Sequence, residues 1–167
     1  MNQQQANRLV ELIEYFEGLP EGVVDLQTVG TINYDAVGAE QIEYVDGKVT
    51  IDIKECGSTY CLAGHLPYAF PDLYTEKKEV HFVGSRLWVE YGYPTCKGIG
   101  GDHGELEHVL ESFKKNFGIP ANNETLMDMV WRGGKTGYYA HSDRGAVIEF
   151  LKDQLSEHGY EIAEVSV

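Results

Sequence analysis

Apolar residues recur at the spacing of a helix face near the start of the chain. The stripe has members at i, i+3, i+4 and i+7: Leu9, Leu12, Ile13 and Phe16. Glutamates occupy the positions between them and would face water. The pattern predicts a surface helix over residues 5–17, which Gly18 and Pro20 would end.

The second half of the chain has the strongest helical pattern. Its apolar positions are Leu106, Val109, Leu110, Phe113 and Phe117. Gly118 follows as a stop signal. Asn122 or Asn123 can cap a short helix after it, and Ser142 can cap a last helix that ends at Gly159. The C-terminal half is therefore predicted to be mainly helical.

An alternating pattern predicts a β-hairpin over Ile42 to Ile53. Asp46-Gly47 is a favoured two-residue hairpin turn. This turn would pair Tyr44 with Val49, Ile42 with Ile51, and Glu43 with Thr50. The register set by the turn agrees with the register set by the apolar pattern, as a stable hairpin requires.

A second hairpin is predicted across Gly84-Ser85. It would pair Phe82 with Leu87 and Val80 with Val89. A short helix over residues 86–91 is the alternative. The flanking segments look irregular, because residues 71–78 are mostly polar and residues 92–101 are rich in glycine.

These elements predict the α+β class. We expect a small antiparallel hairpin sheet with four to five amphipathic helices packed on it. A length of 167 residues is enough for a core, and no composition shift marks a boundary. Residues 1–167 are therefore predicted to form a single α+β domain.

The segment from Glu55 to Phe70 has the most unusual composition. It contains two of the three cysteines, Cys56 and Cys61, together with His65. Ser58 is a good N-cap and would start a helix that places Cys61 and His65 on one face. Pro67 is expected to end or kink that helix in its second turn.

Three interpretations of this segment remain open. In the first, Cys61 is a nucleophile activated by a helix N-terminus, with His65 or His141 as its base. In the second, Cys56, Cys61, His65 and the distant Cys96 bind zinc, although C-x4-C-x3-H departs from the usual ligand spacings. In the third, the cysteines are small buried residues and His65 is a hydrogen-bonded partner. The third is favoured because free cysteine is among the most buried residue types.

Two other segments suggest chemistry only weakly. His103 and His108 are five residues apart, so they do not form the H-E-x-x-H zinc motif, and an acidic helix start explains them better. Arg132-Gly-Gly-Lys135 could hold an anion, but a mobile loop is the favoured explanation. The glycine-rich residues 92–101 do not match a phosphate-binding loop.

The central segment resembles the C-G-[TS]-x-x-C-x-A-G-[HW] motif of a group of small uncharacterised bacterial and phage proteins. The matching positions are Cys56, Gly57, Ser58, Cys61, Ala63, Gly64 and His65. The N-terminal helix and the later phenylalanine-bearing helix also fit this group, whereas the segment between Pro71 and Asp102 is longer. The resemblance implies a phage or mobile-element context and a cytoplasmic location, and it implies no reaction.

Composition adds a strong negative charge to this picture. The chain has 27 acidic and 13 basic side chains, for a net charge of −14. Residues 1–55 carry 11 acids and 3 bases, residues 56–100 carry 4 of each, and residues 101–167 carry 12 and 6. Such a chain should avoid nucleic-acid phosphates and anionic membranes and should be attracted to basic proteins.

Cysteine usage and the N-terminus indicate the compartment. Three cysteines behind a polar N-terminus suggest free thiols in a reducing cytoplasm. The expected function is that of an acidic accessory protein which binds a basic host protein, as a nucleic-acid mimic or an inhibitor. A thiol-dependent enzyme using Cys61 with His65 and a structural zinc protein are the alternatives.

Overall fold

A computed structural model describes residues 1–20, 22–24, 26, 43–45, 48–50, 60–83, 86–100, 105–130 and 143–160. Within these residues the chain has five helices and two antiparallel hairpins, which confirms the α+β class. The elements in chain order are α1 (Gln3–Glu17), β1 (Glu43–Val45), β2 (Lys48–Thr50), α2 (Leu62–Ala69), β3 (Tyr74–Val83), β4 (Arg86–Cys96), α3 (Leu106–Phe117), α4 (Glu124–Val130) and α5 (Asp143–Glu157).

Several predicted features lie outside the described residues. They are the two hairpin turns (46–47 and 84–85), Ile42, Ile51 to Ser58, His103, residues 131–142 and the C-terminal residues 161–167.

Helix α1 begins two residues earlier than predicted because of its cap. The Asn2 side chain accepts from the Gln5 backbone N–H at 2.9 Å, and the Gln5 side chain accepts from the Asn2 N–H at 2.8 Å. This reciprocal capping box satisfies two backbone donors that a helix start otherwise leaves unpaired. The helix ends at Gly18 as expected.

Both predicted hairpin registers are confirmed. Tyr44 pairs with Val49 and Glu43 with Thr50 in the first hairpin. The second hairpin pairs Phe82 with Leu87 and Val80 with Val89, so the alternative helix over residues 86–91 is wrong.

The second hairpin is longer than its sequence suggested. The polar connection predicted to Lys78 is wrong from Tyr74 onward, and the glycine-rich loop is wrong from Gly92 to Cys96, because both segments pair as strands. One extra residue on β4, between Gly92 and Thr95, absorbs the irregularity as a β-bulge. Alternation along β3 is clear, since Tyr74 is buried while Thr75 is exposed.

The central helix starts three residues later than the Ser58 cap implied. Tyr60 is held extended, because its N–H donates to the Val23 carbonyl at 3.0 Å and it forms a parallel bridge with Val24. Cys61 therefore occupies the N-cap position, and α2 begins at Leu62. Pro67 was expected to end or kink this helix, and it does not end it, because the helix continues through Pro67 to Ala69.

The core lies where α1 packs against α3 and α5, and where α2 packs between the β3–β4 hairpin and α4. Helix α3 has the predicted bounds and ends at Gly118, whose φ of 68° is left-handed and suits glycine. The Asn123 side chain accepts from the Leu126 N–H at 3.0 Å and so caps α4. The largest fully buried side chains include Phe16, Tyr60, Leu66, Tyr74, Phe113, Phe117 and Leu126.

Candidate functional site

His65 lies fully buried in α2 and joins three segments of the chain. Its Nδ1 is 2.9 Å from the Tyr15 hydroxyl of α1, and its Nε2 is 2.9 Å from the Val23 carbonyl oxygen. A carbonyl oxygen only accepts, so Nε2 carries the proton and donates to Val23. Nδ1 then accepts the hydroxyl proton of Tyr15. The imidazole of His65 is therefore neutral, and each of its two ring nitrogens makes one hydrogen bond.

Aromatic rings surround this histidine. The rings of Tyr15, Phe16 and Tyr60 meet the imidazole edge-on, with centroids 5.2 to 5.7 Å away. Burial among these rings lowers the pKa of His65 from 6.5 to about 4. Burial also raises the pKa of the Tyr15 hydroxyl, which therefore stays protonated and able to donate. The site is neutral at neutral pH.

Cys61 precedes the helix and is 1% exposed. Its carbonyl oxygen accepts from the His65 N–H at 3.2 Å, so the two residues are linked through the backbone. A general base needs a free lone pair aimed at its nucleophile. The lone pair of His65 accepts from Tyr15 instead, which is the arrangement that the packing interpretation expects. The use of Cys61 as a nucleophile stays a prediction, and His141 lies outside the described residues.

Cys96, at the end of β4, belongs to a different buried polar cluster. Its Sγ accepts from Asn116 Nδ2 at 3.3 Å, and its backbone N–H donates to His108 Nε2 at 2.9 Å. Asn116 Nδ2 also lies 3.1 Å from the Tyr74 hydroxyl, which donates to Ser112 Oγ at 2.9 Å. These bonds tie both strands of the hairpin to α3 and satisfy polar groups that would be costly to bury alone.

The proposed zinc ligands fall into separate environments. Cys61 and His65 lie at the start of α2, Cys96 lies at the end of β4 beside α3, and Cys56 is outside the described residues. Among the residues that the structure describes, no three Cys, His, Asp or Glu side chains converge in a way that could hold a metal ion. Zinc binding stays a prediction that depends on Cys56 and its neighbours.

A chain of tyrosine hydroxyls was missed by the sequence analysis. Tyr68 donates to Glu76 Oε1 at 2.7 Å, its hydroxyl oxygen is 3.1 Å from that of Tyr60, and Tyr60 is 3.2 Å from Tyr91. Because the single proton of Tyr68 goes to the carboxylate, Tyr60 must donate to Tyr68. Glu76 also pairs with Lys78 at 2.9 Å. The tyrosine count of 11 was the only hint of this cluster.

Acidic side chains line part of two surface depressions. A shallow groove of about 200 Å³ between α4 and α5 is lined by Glu149, Asp153 and Glu157, all exposed. A wider depression of about 500 Å³ at the start of α3 is lined by Glu105, Glu107 and Glu111. The acidity of the sequence is thus displayed on helix surfaces of the described fold.

Comparison with known proteins adds no relative: no family model, no curated protein and no solved structure matches this chain. Within the described part of the chain, no helix combines the length and the apolar character needed to cross a membrane.

Proposed function

We propose that this chain is an acidic accessory protein, of a phage or mobile-element type, that binds the basic surface of a host protein in the cytoplasm. The observation that carries the proposal is a row of exposed carboxylates on α5. Glu149, Asp153 and Glu157 are four residues apart, so they follow one side of the helix at intervals of about 6 Å.

A regular row of negative charge is also what a nucleic-acid strand presents to its binding proteins. A basic cleft that binds phosphates would be attracted to such a row, and a net charge of −14 would speed the encounter. The proposed action is therefore competition with nucleic acid for a basic partner.

The burial of His65 and of the two described cysteines agrees with a binding role. The ring nitrogens of His65 are engaged within the core, and the thiols of Cys61 and Cys96 are 1% and 2% exposed. These three side chains lie in the core of the described residues, whereas Glu149, Asp153 and Glu157 are exposed.

The test is capture of partners from a host lysate at low and moderate salt, comparing wild type with the triple variant Glu149→Gln, Asp153→Asn, Glu157→Gln. Exposed ion pairs contribute about 0.2–1 kcal/mol each, so three lost pairs should cost about 0.6–3 kcal/mol and weaken binding by about 3- to 150-fold. Duplex DNA added in excess should release the captured partner.

The matched control is the triple variant Glu105→Gln, Glu107→Gln, Glu111→Gln, which removes the same charge from α3. It should keep most of the affinity. Equal losses in both variants would argue against the α5 row as the contact, and failure to capture any basic protein at low salt would contradict the proposal.

A further inference from the structure

A groove of about 510 Å³ lies between the first turns of α1 and the turn that follows α2. Its lining includes Asn7, Arg8 and Glu11 of α1 together with Phe70, Asp72 and Leu73; Leu73 is half-buried, and Phe70 is 8% exposed. The volume is in the range of small-molecule sites. The groove thus combines a cation, two carboxylates and an apolar shelf.

A buried side chain of α3 holds Arg8 in place. Its Nη1 donates to Asn116 Oδ1 at 3.3 Å, and Asn116 is 2% exposed. Asn116 is itself fixed by its contacts with the Tyr74 hydroxyl and with Cys96 Sγ. A guanidinium has five N–H donors, and this anchor uses one of them. Support of this kind orients a binding group before a ligand arrives.

The groove is lined by two carboxylates from different elements. Glu11 belongs to α1, one turn after Arg8, and Asp72 belongs to the turn after α2. Within the described part of the chain neither makes an ion pair. Residues three apart on a helix surface are about 5–6 Å from one another, so positive and negative groups sit within the reach of one small ligand.

We propose that this groove binds a small zwitterion, namely an α-amino acid with an apolar side chain. Its carboxylate would pair with Arg8, its ammonium with Glu11 and Asp72, and its side chain would pack on Phe70 and Leu73. A zwitterion has no net charge, so the −14 field of the protein does not repel it as it would repel a simple anion.

The test is chemical-shift mapping of the ¹⁵N-labelled protein with L-leucine. Two matched probes each lack one charged group: leucinamide has no carboxylate, and 4-methylpentanoic acid has no ammonium. We expect saturable shifts around the groove with L-leucine and affinities about tenfold weaker or lower with either probe. Equal binding of leucinamide, or the absence of saturable shifts with L-leucine, would overturn the proposal.

Variants separate the groove from general effects. Arg8→Gln should weaken L-leucine binding by about tenfold or more, and Asp72→Asn, on an exposed turn, tests the ammonium site without touching the core. Lys114→Gln removes one exposed positive charge elsewhere and should bind as wild type does. Unchanged affinity in both Arg8→Gln and Asp72→Asn would refute the assignment.

Discussion

Acid should destabilise this protein through His65. The imidazole is fully buried and neutral, and its folded-state pKa is about 4, compared with 6.5 for the free side chain. Below pH 6.5 the unfolded chain takes up a proton that the folded chain does not. Stability from this group is therefore complete above pH 6.5 and falls as the pH drops toward 4.

The magnitude follows from the difference between the two pKa values. Each pH unit in this window costs about 1.4 kcal/mol, which gives about 2 kcal/mol at pH 5 and about 3 kcal/mol at pH 4. A whole domain is stable by only about 5–15 kcal/mol, so the loss should be easy to measure. The tyrosines facing His65, Tyr15 and Tyr60, stay protonated throughout this range because burial raises their pKa.

The assay is urea denaturation followed by circular dichroism at pH 7, 6 and 5, for wild type and His65→Gln. Glutamine can replace some of the hydrogen bonds but cannot titrate, so the variant should start less stable and lose about 2 kcal/mol less between pH 7 and pH 5. The control is His158→Gln, which removes an exposed histidine at the end of α5 and should follow wild type. The same pH slope for wild type and His65→Gln would refute the reasoning.

Three further predictions concern the stability of the fold and the reactivity of its buried thiols. Gln5→Ala should lower the free energy of unfolding, measured by urea denaturation, by about 1–2 kcal/mol, because the side chain caps α1 and also donates to the last carbonyls of α3. The control is Gln4→Ala, at an exposed position of the same helix, and an equal loss in both variants would contradict the prediction. Phe113→Ala should lower the free energy of unfolding in urea by about 3–5 kcal/mol, because the ring is fully buried. A loss under about 1 kcal/mol would instead show that the ring is poorly packed. In a variant that lacks Cys56, the buried Cys61 and Cys96 should react with a thiol reagent only as fast as the protein unfolds. Rapid labelling of Cys61 in the native protein would instead favour the nucleophile hypothesis.

Local signals were enough to predict most of the elements. The apolar stripe of α3 and the glycine after it predicted where this helix ends, because both a helix face and a left-handed C-cap depend only on residues that are close together in the sequence. The two hairpin registers were also correct, because a two-residue turn fixes which residues pair. Segments without a local period were the ones that failed, such as residues 92–96, which pair only because β3 lies beside them.

The sequence by itself determined the presence of the helices, the hairpin registers, the acidity and the presence of a cysteine- and histidine-bearing segment, but it did not determine where α2 begins. Only the tertiary structure decided which groups His65 and Cys96 contact. The partners of His65 come from Tyr15, fifty residues earlier, and from the Val23 carbonyl, while Cys96 meets Asn116 of α3. Hydrogen bonds between residues so far apart leave no periodic trace in the chain. Burial, which sets the pKa of His65, likewise depends on every segment that packs around it.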